Sequence, residues 1–320
     1  MVRFAGRRLA AAVVLVWLVA TVTFALVALA PGDAASRLTD PRISAQTRER
    51  WRREFGLDRP WPARYAAWLG AAATGDLGTS WLHHRAVTAV LGDALPNTAL
   101  LAGLGLMVEI AGGVAIALVQ LRRARGRLDS VLSFAALASY ALPTFAVALA
   151  LIGVFSYRLG LLPPSHMHSL AGEQAHGPAR MVDLLLHLVL PAAAIGLTGL
   201  GAVARYLRGV LLDERGRLYV LAARARGCSE QRALLVHVLP NALLPLITMI
   251  GMSLPFLVSG SLVVEVVFSW PGMGQLMFGA ALARDVPLLM GATIVMTVAV
   301  VAGNLVADLA YAVVDPRVRL

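Results

Sequence analysis

Residues 213–240 read DERGRLYVLAARARGCSEQRALLVHVLP and form a charged segment inside a chain that is otherwise strongly apolar. Apolar side chains recur at helical spacing between the arginines of this segment. Gly227 is suited to end a helix, because glycine enters the left-handed conformation without a Cβ penalty, and Ser229 is suited to cap the next helix. The pattern predicts two short amphipathic helices joined by a glycine turn, and we call residues 213–240 the paired-helix segment.

The composition of the chain predicts a polytopic, all-α membrane protein. Of its 320 residues, 58% are hydrophobic and 14% are charged, whereas about a quarter of the residues in a typical soluble domain are charged. Several apolar runs approach the ~20 residues that a helix needs to cross a bilayer. The net charge of +10 is better explained by basic loops in contact with membrane lipid than by a nucleic-acid partner.

The absence of lysine from the sequence limits the chemistry open to this chain. All 28 residues of the Lys and Arg class are arginine, and the loop that cradles nucleotide phosphates in P-loop enzymes needs a lysine. We therefore expect no ATP hydrolysis by this chain itself, no catalytic residues and no cofactor. Cys228 is the only cysteine, so no internal disulfide and no CxxC metal site is expected. His166-Met167-His168 is a sequence that can bind soft transition metals, but a solvated loop explains it better.

Six apolar segments predict six transmembrane helices. The first follows Arg3, Arg7 and Arg8 and also fits the plan of a secretory signal. Its 22 residues exceed the roughly 7–15 typical of a signal's apolar core, so an uncleaved helix is favoured. The predicted spans are residues 9–30, 97–121, 131–157 with a kink at Pro143, 183–206, 242–267 and 288–314.

Residues 31–96 form a long insert between the first two predicted spans. The insert is polar, mixed in charge and holds four of the six tryptophans. Short helices are predicted at residues 48–55 and 61–69. The tryptophans are explained by a small core or by anchoring at the membrane interface, and a substrate-handling role is the alternative. A turn-rich or re-entrant element is predicted at residues 268–287, after the fifth span.

The distribution of arginine predicts that both termini, including residues 1–8, and the paired-helix segment are cytoplasmic. The N-terminus, the 122–127 loop, the 205–232 region and the C-terminus together hold 16 of the 28 arginines. The loops on the opposite, extracytoplasmic side hold the other 12 arginines. Nine of these 12 lie in the long insert. The positive-inside rule loses force in a loop of that length.

Two glutamates lie in the predicted spans. Glu109 is inside the second span and Glu265 is near the end of the fifth. An intramembrane carboxylate is costly and usually faces protein or water, so both are candidates for lining a translocation path. For Glu109, a neutral or hydrogen-bonded side chain against a neighbouring helix is an equal alternative.

A helix pair held between two spans on the cytoplasmic face is suited to receive force from a soluble partner. Its arginines can pair with acidic groups of that partner or with lipid phosphates. The alternative is a basic helix pair that only lies at the membrane interface.

The paired-helix segment resembles the cytoplasmic signature of the permease subunits of bacterial binding-protein-dependent ABC importers, specifically the first permease of the dipeptide, oligopeptide and nickel type. That signature is Glu-Ala-Ala, three residues, Gly, nine residues and Ile-x-Leu-Pro. Here residues 221–223 (LAA) are followed after three residues by Gly227 and after nine more by residues 237–240 (HVLP). Leu221 and His237 depart from the signature, while the spacing is unchanged.

Further matches in the same order extend this resemblance to nearly the whole chain. They are LAPGD (29–33), FGLDRP (55–60), GDLGTS (75–80), ALPTF (141–145), EVVFSWPGMG (265–274), DLAY (308–311) and DPRVR (315–319).

The resemblance implies a type I ABC importer permease fold in a bacterial inner membrane. It also implies partners: a homologous second permease, two cytoplasmic ATPase subunits or domains that hydrolyse ATP with Mg, and an extracytoplasmic solute-binding protein. The implied cargo is a di- or oligopeptide, with nickel or another small solute as the alternative. By the same analogy an ATPase groove receives the paired-helix segment. The implied coupling residues are Ala222, Ala223, Arg224, Arg226, Gly227, Ser229, Leu239 and Pro240.

Two functions of other classes stay open on the residues alone. An ion-driven secondary carrier would use Glu109, although no repeat is visible between the two halves of the chain. An intramembrane protease would pair Ser253 with His187 or His237. The glycine expected after such a serine is absent, and no paired intramembrane aspartate motif is evident.

Overall fold

The computed structural model describes residues 2–29, 46, 59–122, 126–243, 246 and 261–314. Helices dominate these ranges, as the sequence predicted. The predicted helix at 48–55 and residues 247–260 of the predicted fifth span lie outside the described residues. The helices are α1 (Val2–Leu29), α2 (Trp61–Ala73), α3 (Val87–Arg122), α4 (Arg127–Ala141), α5 (Thr144–Leu151), α6 (Leu170–Gln174), α7 (Pro178–Arg215), α8 (Leu218–Ala225), α9 (Glu230–Arg232), α10 (Met273–Ala283) and α11 (Val286–Val314). Two π-helical segments, Ile152–Arg158 and Ala233–Val238, continue α5 and α9.

Four of the described helices are long and apolar enough to cross a membrane. They are α1 over Ala10–Leu29, α3, α7, and α11 over Val286–Val306. The count rises to five if α4 and the helix that follows it form one broken span. These correspond to five of the six predicted spans.

The predicted third span is broken rather than kinked. Its two halves, Arg127–Ala141 and Thr144–Arg158, are bent by 106°. Proline has no N–H and disfavours a helical conformation in the residue before it. Leu142 accordingly has φ −80° and ψ 132°, and Pro143 has φ −60° and ψ 136°. Two successive extended residues redirect the chain far more than a kink at Pro143 would.

Two of the long helices exceed the predicted spans. Helix α3 begins at Val87, ten residues before predicted residue 97, and contains Pro96. Helix α7 continues past residue 206 to Arg215 and so enters the paired-helix segment. At about 1.5 Å per residue, the 38 residues of α7 measure about 57 Å, well beyond the ~30 Å hydrocarbon core. The apolar pattern predicted the existence of each helix and not its full length.

The chain divides into two compact units, Met1–Pro96 with Leu276–Val301 and Asn97–Gln275 with Ala302–Leu320. In the first unit, α1 packs against α2 through aromatic rings. The ring of Phe24 lies 5.1 Å from that of Tyr65 and 6.2 Å from that of Trp68, measured between centroids. Tyr65 and Thr21 share a hydrogen bond of 2.5 Å. Trp68 thus belongs to a small aromatic core, one of the two interpretations predicted for the insert's tryptophans.

A buried carboxylate ties the segment after α2 to the start of α11 in the same unit. Asp285 accepts hydrogen bonds from Ser80 Oγ (2.6 Å) and from the amides of Leu82 (2.8 Å) and Leu288 (3.1 Å). The last of these bonds caps α11. One side chain therefore holds a loop and a helix start together.

Helix α7 is the centre of the second unit, and most of its buried side chains face α3, α4 and α5. Phe268 and Trp270 complete this core. The helices approach closely at glycines: a Cβ placed on Gly105 would lie 2.6 Å from Ile195 Cγ2, and one on Gly113 would lie 2.6 Å from Val203 Cβ. Small residues at such contacts are typical of helix packing in membranes.

Candidate functional site

The glycine turn of the paired-helix segment has the predicted geometry. Gly227 has φ +87°. Its amide donates to Arg224 O (2.9 Å), and the amide of Cys228 donates to Ala223 O (3.2 Å). This pair of bonds is the Schellman motif, which satisfies the last carbonyls of α8 and requires a left-handed residue after the helix. The turn is therefore closed by the main chain, with glycine at the position where a Cβ is penalised.

The second helix of the segment starts at the predicted cap. Ser229 has extended backbone angles, and its side chain accepts a hydrogen bond from the amide of Arg232 (3.4 Å). Glu230 follows in the first turn, where a carboxylate is favoured by the helix dipole. Helix α9 then widens into the π-helical segment Ala233–Val238 and continues helically to residue 243.

One side of the paired-helix segment is packed into the protein. Val220, Ala233 and Val238 are fully or almost fully buried, and they join a cluster with Leu207 and Leu211 of α7. The cluster also includes Ala117 and Leu121 from the last turns of α3 and Leu246 beyond Pro240. The segment is thus fixed to the ends of two long helices, so a displacement of the segment acts on both.

The other side of α8 presents an uncovered apolar stripe. Leu218 is 82% exposed and Leu221 is 50% exposed. Ala222 and Ala225 are exposed on the same face, at the i, i+3, i+4 and i+7 spacing of one helical stripe. Apolar side chains that stand together on a surface mark an interaction site. This stripe is therefore a candidate interaction surface.

Two carboxylates of the segment pair with its arginines, and one of these pairs is Glu214 with Arg217 at 3.6 Å. Glu230 pairs with Arg215 and with Arg224, the latter at 3.2 Å, and so links the end of α7 and the end of α8 to the start of α9. Arg226 and Arg232 are exposed around the turn. Arg224 therefore contributes to the shape of the segment, while Arg226 and Arg232 lie at its surface.

Tyr219 is a connecting residue that the sequence reasoning missed. Its hydroxyl donates to Glu214 Oε2 (2.6 Å) and accepts from Asn241 Nδ2 (3.3 Å), and Asn241 Nδ2 also donates to His237 O (2.8 Å). Partial burial, then the hydrogen bond to Glu214 and the charge of that carboxylate, raises the pKa of Tyr219 to about 12. The phenol therefore stays protonated at physiological pH and joins α7, α8 and the helix after Pro240.

The predicted coupling residues occupy different positions in the segment. Ala222 faces outward on the apolar stripe, whereas Ala223 is 4% exposed and packs inward. Leu239 is half-buried and Pro240 is exposed. Three other coupling residues, Arg226, Gly227 and Ser229, are exposed at the turn. Their coupling role stays a prediction.

Glu265 forms a buried cap in the second unit. The side chain accepts hydrogen bonds from Thr98 Oγ1 (2.8 Å) and from the amides of Gly274 (2.6 Å) and Gln275 (3.2 Å). Thr98 Oγ1 in turn accepts from the amide of Met273 (2.7 Å). The carboxylate thus stabilises the start of α10, and a path-lining role for it stays a prediction.

Glu109 packs against a glycine of the neighbouring helix. A Cβ placed on Gly199 of α7 would lie 2.6 Å from Glu109 Oε1, so the absence of a side chain at Gly199 makes room for the carboxyl group. Both the path-lining prediction and its alternative, a neutral or hydrogen-bonded side chain against a neighbouring helix, stay open. The residue is half-buried, and its role in a path also stays a prediction.

The loop that contains His166 and His168 is held by a carboxylate. Asp183, in the first turns of α7, accepts hydrogen bonds from Ser169 Oγ (2.7 Å) and His168 Nδ1 (3.0 Å). His187 Nδ1 donates to Asp183 O (2.7 Å). Among the residues that the structure describes, no group of three His, Cys, Asp or Glu side chains has the geometry to hold a metal ion.

These features define a multi-span α-helical membrane protein that carries a packed helix pair with an outward apolar stripe. Residues 109–320 match the family described as the inner membrane component of binding-protein-dependent transport systems, and residues 1–102 match the N-terminal family of the same membrane components. The chain belongs to this family, which confirms the resemblance found in the sequence. It is accordingly a multi-pass inner-membrane protein.

Full-length relatives support this assignment. The oligopeptide transport system permease AppB of Bacillus subtilis is 36% identical over 298 residues, covering 93% of each chain. A putative peptide permease of Brucella suis is 36% identical over the full length of both chains. The glutathione transport system permease GsiC of Escherichia coli is 31% identical, covering 100% of this chain and 99% of GsiC.

One solved structure supports the fold. A chain of the MetNI methionine ABC transporter in an inward-facing conformation superposes with a TM-score of 0.54, covering 71% of this chain and 97% of that chain. At 16% identity this similarity concerns the fold alone.

Proposed function

We propose that this chain is one of two homologous permease subunits of an ATP-driven, binding-protein-dependent importer of di- or oligopeptides. Six spans would place both termini and the paired-helix segment in the cytoplasm, with the fifth span at residues 242–267. ATP and Mg would be used by two cytoplasmic ATPase subunits, and a solute-binding protein would deliver the cargo from outside. The names of the relatives support a peptide as the cargo, and nickel is the alternative.

The outward apolar stripe of α8 carries the proposal that the segment docks on an ATPase. Leu218, Leu221 and Ala222 are available to enter an apolar groove, and Arg226 is placed to pair with acidic groups at its rim. The opposite side of the segment is packed on α3 and α7. ATPase movement would therefore be transmitted to the spans through packed side chains, which is the rigid-body type of transition.

Crosslinking tests the docking directly, and the single native cysteine makes the design simple. In a Cys228→Ser background, Leu221→Cys should form a crosslink to an ATPase subunit in the assembled complex. Tyr157→Cys is the control, because Tyr157 is also exposed, at 79% against 50% for Leu221, but lies at the end of the π-helix that follows α5. Equal crosslinking at both positions, or none at Leu221→Cys in a complex that still hydrolyses ATP, would exclude the docking site.

The sidedness of the segment is tested with the same variant. Without ATPase subunits, a membrane-impermeant maleimide should label Leu221→Cys in inside-out vesicles and not in right-side-out vesicles. The reverse pattern would place the segment outside and refute the topology.

Reconstituted transport tests the cargo. Proteoliposomes with both permeases, the ATPases and the binding protein should accumulate a labelled peptide only when ATP is supplied on the ATPase side. Accumulation of nickel and not of peptide would favour the alternative cargo. Uptake driven by a proton gradient without ATP would support an ion-driven carrier instead.

A further inference from the structure

An ion pair between a buried aspartate and a partly exposed arginine joins two helices next to the paired-helix segment. Asp129, in the first turn of α4, is 4% exposed. Arg208 of α7 grips it with two parallel bonds, from Nε to Oδ1 at 2.9 Å and from Nη2 to Oδ2 at 2.7 Å. Such two-pronged pairing fixes the relative orientation of the two groups as well as their distance.

A glutamine from α3 completes this network. Gln120 is 2% exposed. Its Nε2 donates to Ser133 Oγ (2.8 Å) and lies within hydrogen-bond distance of Asp129 Oδ1 (3.2 Å) and Asp129 O (3.3 Å). In the described part of the chain, Gln120 Oε1 is buried and accepts no hydrogen bond.

The network lies directly behind the side chains on which the segment rests. Arg208 is adjacent in sequence to Leu207, and Gln120 is adjacent to Leu121. Both leucines are buried in the cluster that holds Val220, Ala233 and Val238 of the segment. A shift of the segment therefore displaces the two backbones that hold Arg208 and Gln120.

The third helix of the network ends at the break in its span. Helix α4 ends at Ala141, where the span breaks by 106° through Leu142 and Pro143. Asp129 lies at the opposite end of α4. The ion pair therefore fixes the end of α4 that lies farthest from the bend.

We infer that Asp129 and Arg208 form a positioning pair that transmits movement of the paired-helix segment to the broken span α4–α5 and so sets the coupling of ATP hydrolysis to transport. This inference rests on the proposed function. Burying the Asp129 carboxylate costs desolvation that apolar residues of similar volume would avoid, and the best-supported use of a pair at such a position is to specify one arrangement. The fork of Arg208 supplies that specification between α7 and α4.

Arg208→Lys separates positioning from simple charge pairing, since lysine keeps the charge and loses the planar fork. In proteoliposomes containing the complete importer, we expect the amount of solute transported per ATP to fall by about 2- to 30-fold, the range found when residues of a coupling network are changed. Assembly and solute-independent ATP hydrolysis should be retained. Arg205→Lys is the matched control, because Arg205 also reaches α4, lying over the Tyr140 ring at 5.5 Å, without an ion-pair fork.

A neutral pair supplies the second arm of the test. Asp129→Asn with Arg208→Gln removes both charges, so no buried charge is left without a partner, and the subunit should assemble. A structural role alone predicts a normal ratio of transport to ATP hydrolysis in this double variant, whereas a positioning role predicts that the ratio stays low. A normal ratio in both Arg208→Lys and the double variant would overturn the inference.

The two levels of the proposal fail in different ways. If the wild-type importer shows no ATP-driven uptake, the proposed function is wrong. If uptake and the Leu221→Cys crosslink are intact and the ratio is unchanged in the variants, only the role of the Asp129–Arg208 pair is wrong.

Discussion

Replacing Gly227 with valine tests whether the glycine turn sets the geometry of the paired-helix segment. Gly227 has φ +87°, and a Cβ placed there would meet no heavy atom within 4 Å. The cost of the substitution therefore comes from the backbone conformation and not from crowding. A β-branched residue at a positive φ is a genuine outlier, so valine is the most sensitive choice.

The magnitude follows from the two hydrogen bonds that depend on this conformation. A side chain in the left-handed region costs about 1–2 kcal/mol. Relaxing that strain breaks or lengthens the Gly227 N–Arg224 O bond of 2.9 Å and the Cys228 N–Ala223 O bond of 3.2 Å. A free energy of this size raises the population of the open turn by about 5- to 30-fold. The subunit should still insert, because the membrane-spanning helices are not involved.

The assay uses Cys228, the half-buried sole cysteine next to the turn. In the reconstituted importer, Gly227→Val should raise the rate of maleimide labelling at Cys228 in proportion to the open population. It should also lower the stimulation of ATP hydrolysis by the loaded binding protein.

Two controls isolate the backbone effect. Gly216→Val is the matched control, because Gly216 has φ −83° and a Cβ there would lie at an ordinary 3.6 Å from Asp213 O. Gly227→Asn should behave more like the wild type, since asparagine tolerates the left-handed region. Labelling and stimulation that are the same in Gly227→Val and Gly216→Val would refute this account of the turn.

Three further predictions address other parts of the chain. The Tyr219 phenol should ionise near pH 12 rather than 10, and the difference in alkaline absorbance between the wild type and Tyr219→Phe measures this. Because the pKa of Tyr219 is raised in the folded state, the bond from its phenol to Glu214 stabilises the fold fully below pH 10. That stabilisation is lost as the pH rises through about 12. Asp285→Ala should lower the free energy of unfolding of the purified subunit by about 1–3 kcal/mol for each buried donor left without an acceptor. Asp285→Asn keeps an acceptor oxygen and should lower the free energy of unfolding by less. Gly199→Ala should cost about 1–3 kcal/mol by overpacking against Glu109, and adding Glu109→Ala should restore stability; an additive loss in the double variant would contradict the contact.

Local rules explain what the sequence predicted well. The glycine turn and the Ser229 cap depend on backbone preferences of single residues, so Gly227 and Ser229 could be placed without knowledge of the rest of the fold. The existence of α3 and α7 follows from the length of their apolar runs, whereas the full length of each helix could not be predicted in this way.

Long-range contacts explain what the sequence did not reveal. Asp129 and Arg208 are 79 residues apart in the chain. Each lies among other charged residues near the end of a predicted span, so the sequence gives no sign that the two pair. Tyr219 looks like one more amphipathic side chain until Glu214 and Asn241 are brought to it. The size of the bend at Pro143 depends on the helices packed around it, since proline alone predicts only a kink.

The 106° break at Leu142 and Pro143 has a consequence for solvation inside the bilayer. The last carbonyls of a helix have no partner within that helix, and hydrocarbon offers them none. Backbone of this kind is tolerated at membrane depth only where protein covers it or water reaches it. The side chains of Leu142 and Phe145 are about half exposed on this chain. The lipid must therefore be kept from this corner, by a neighbouring subunit or by a water-filled cavity that opens beside it.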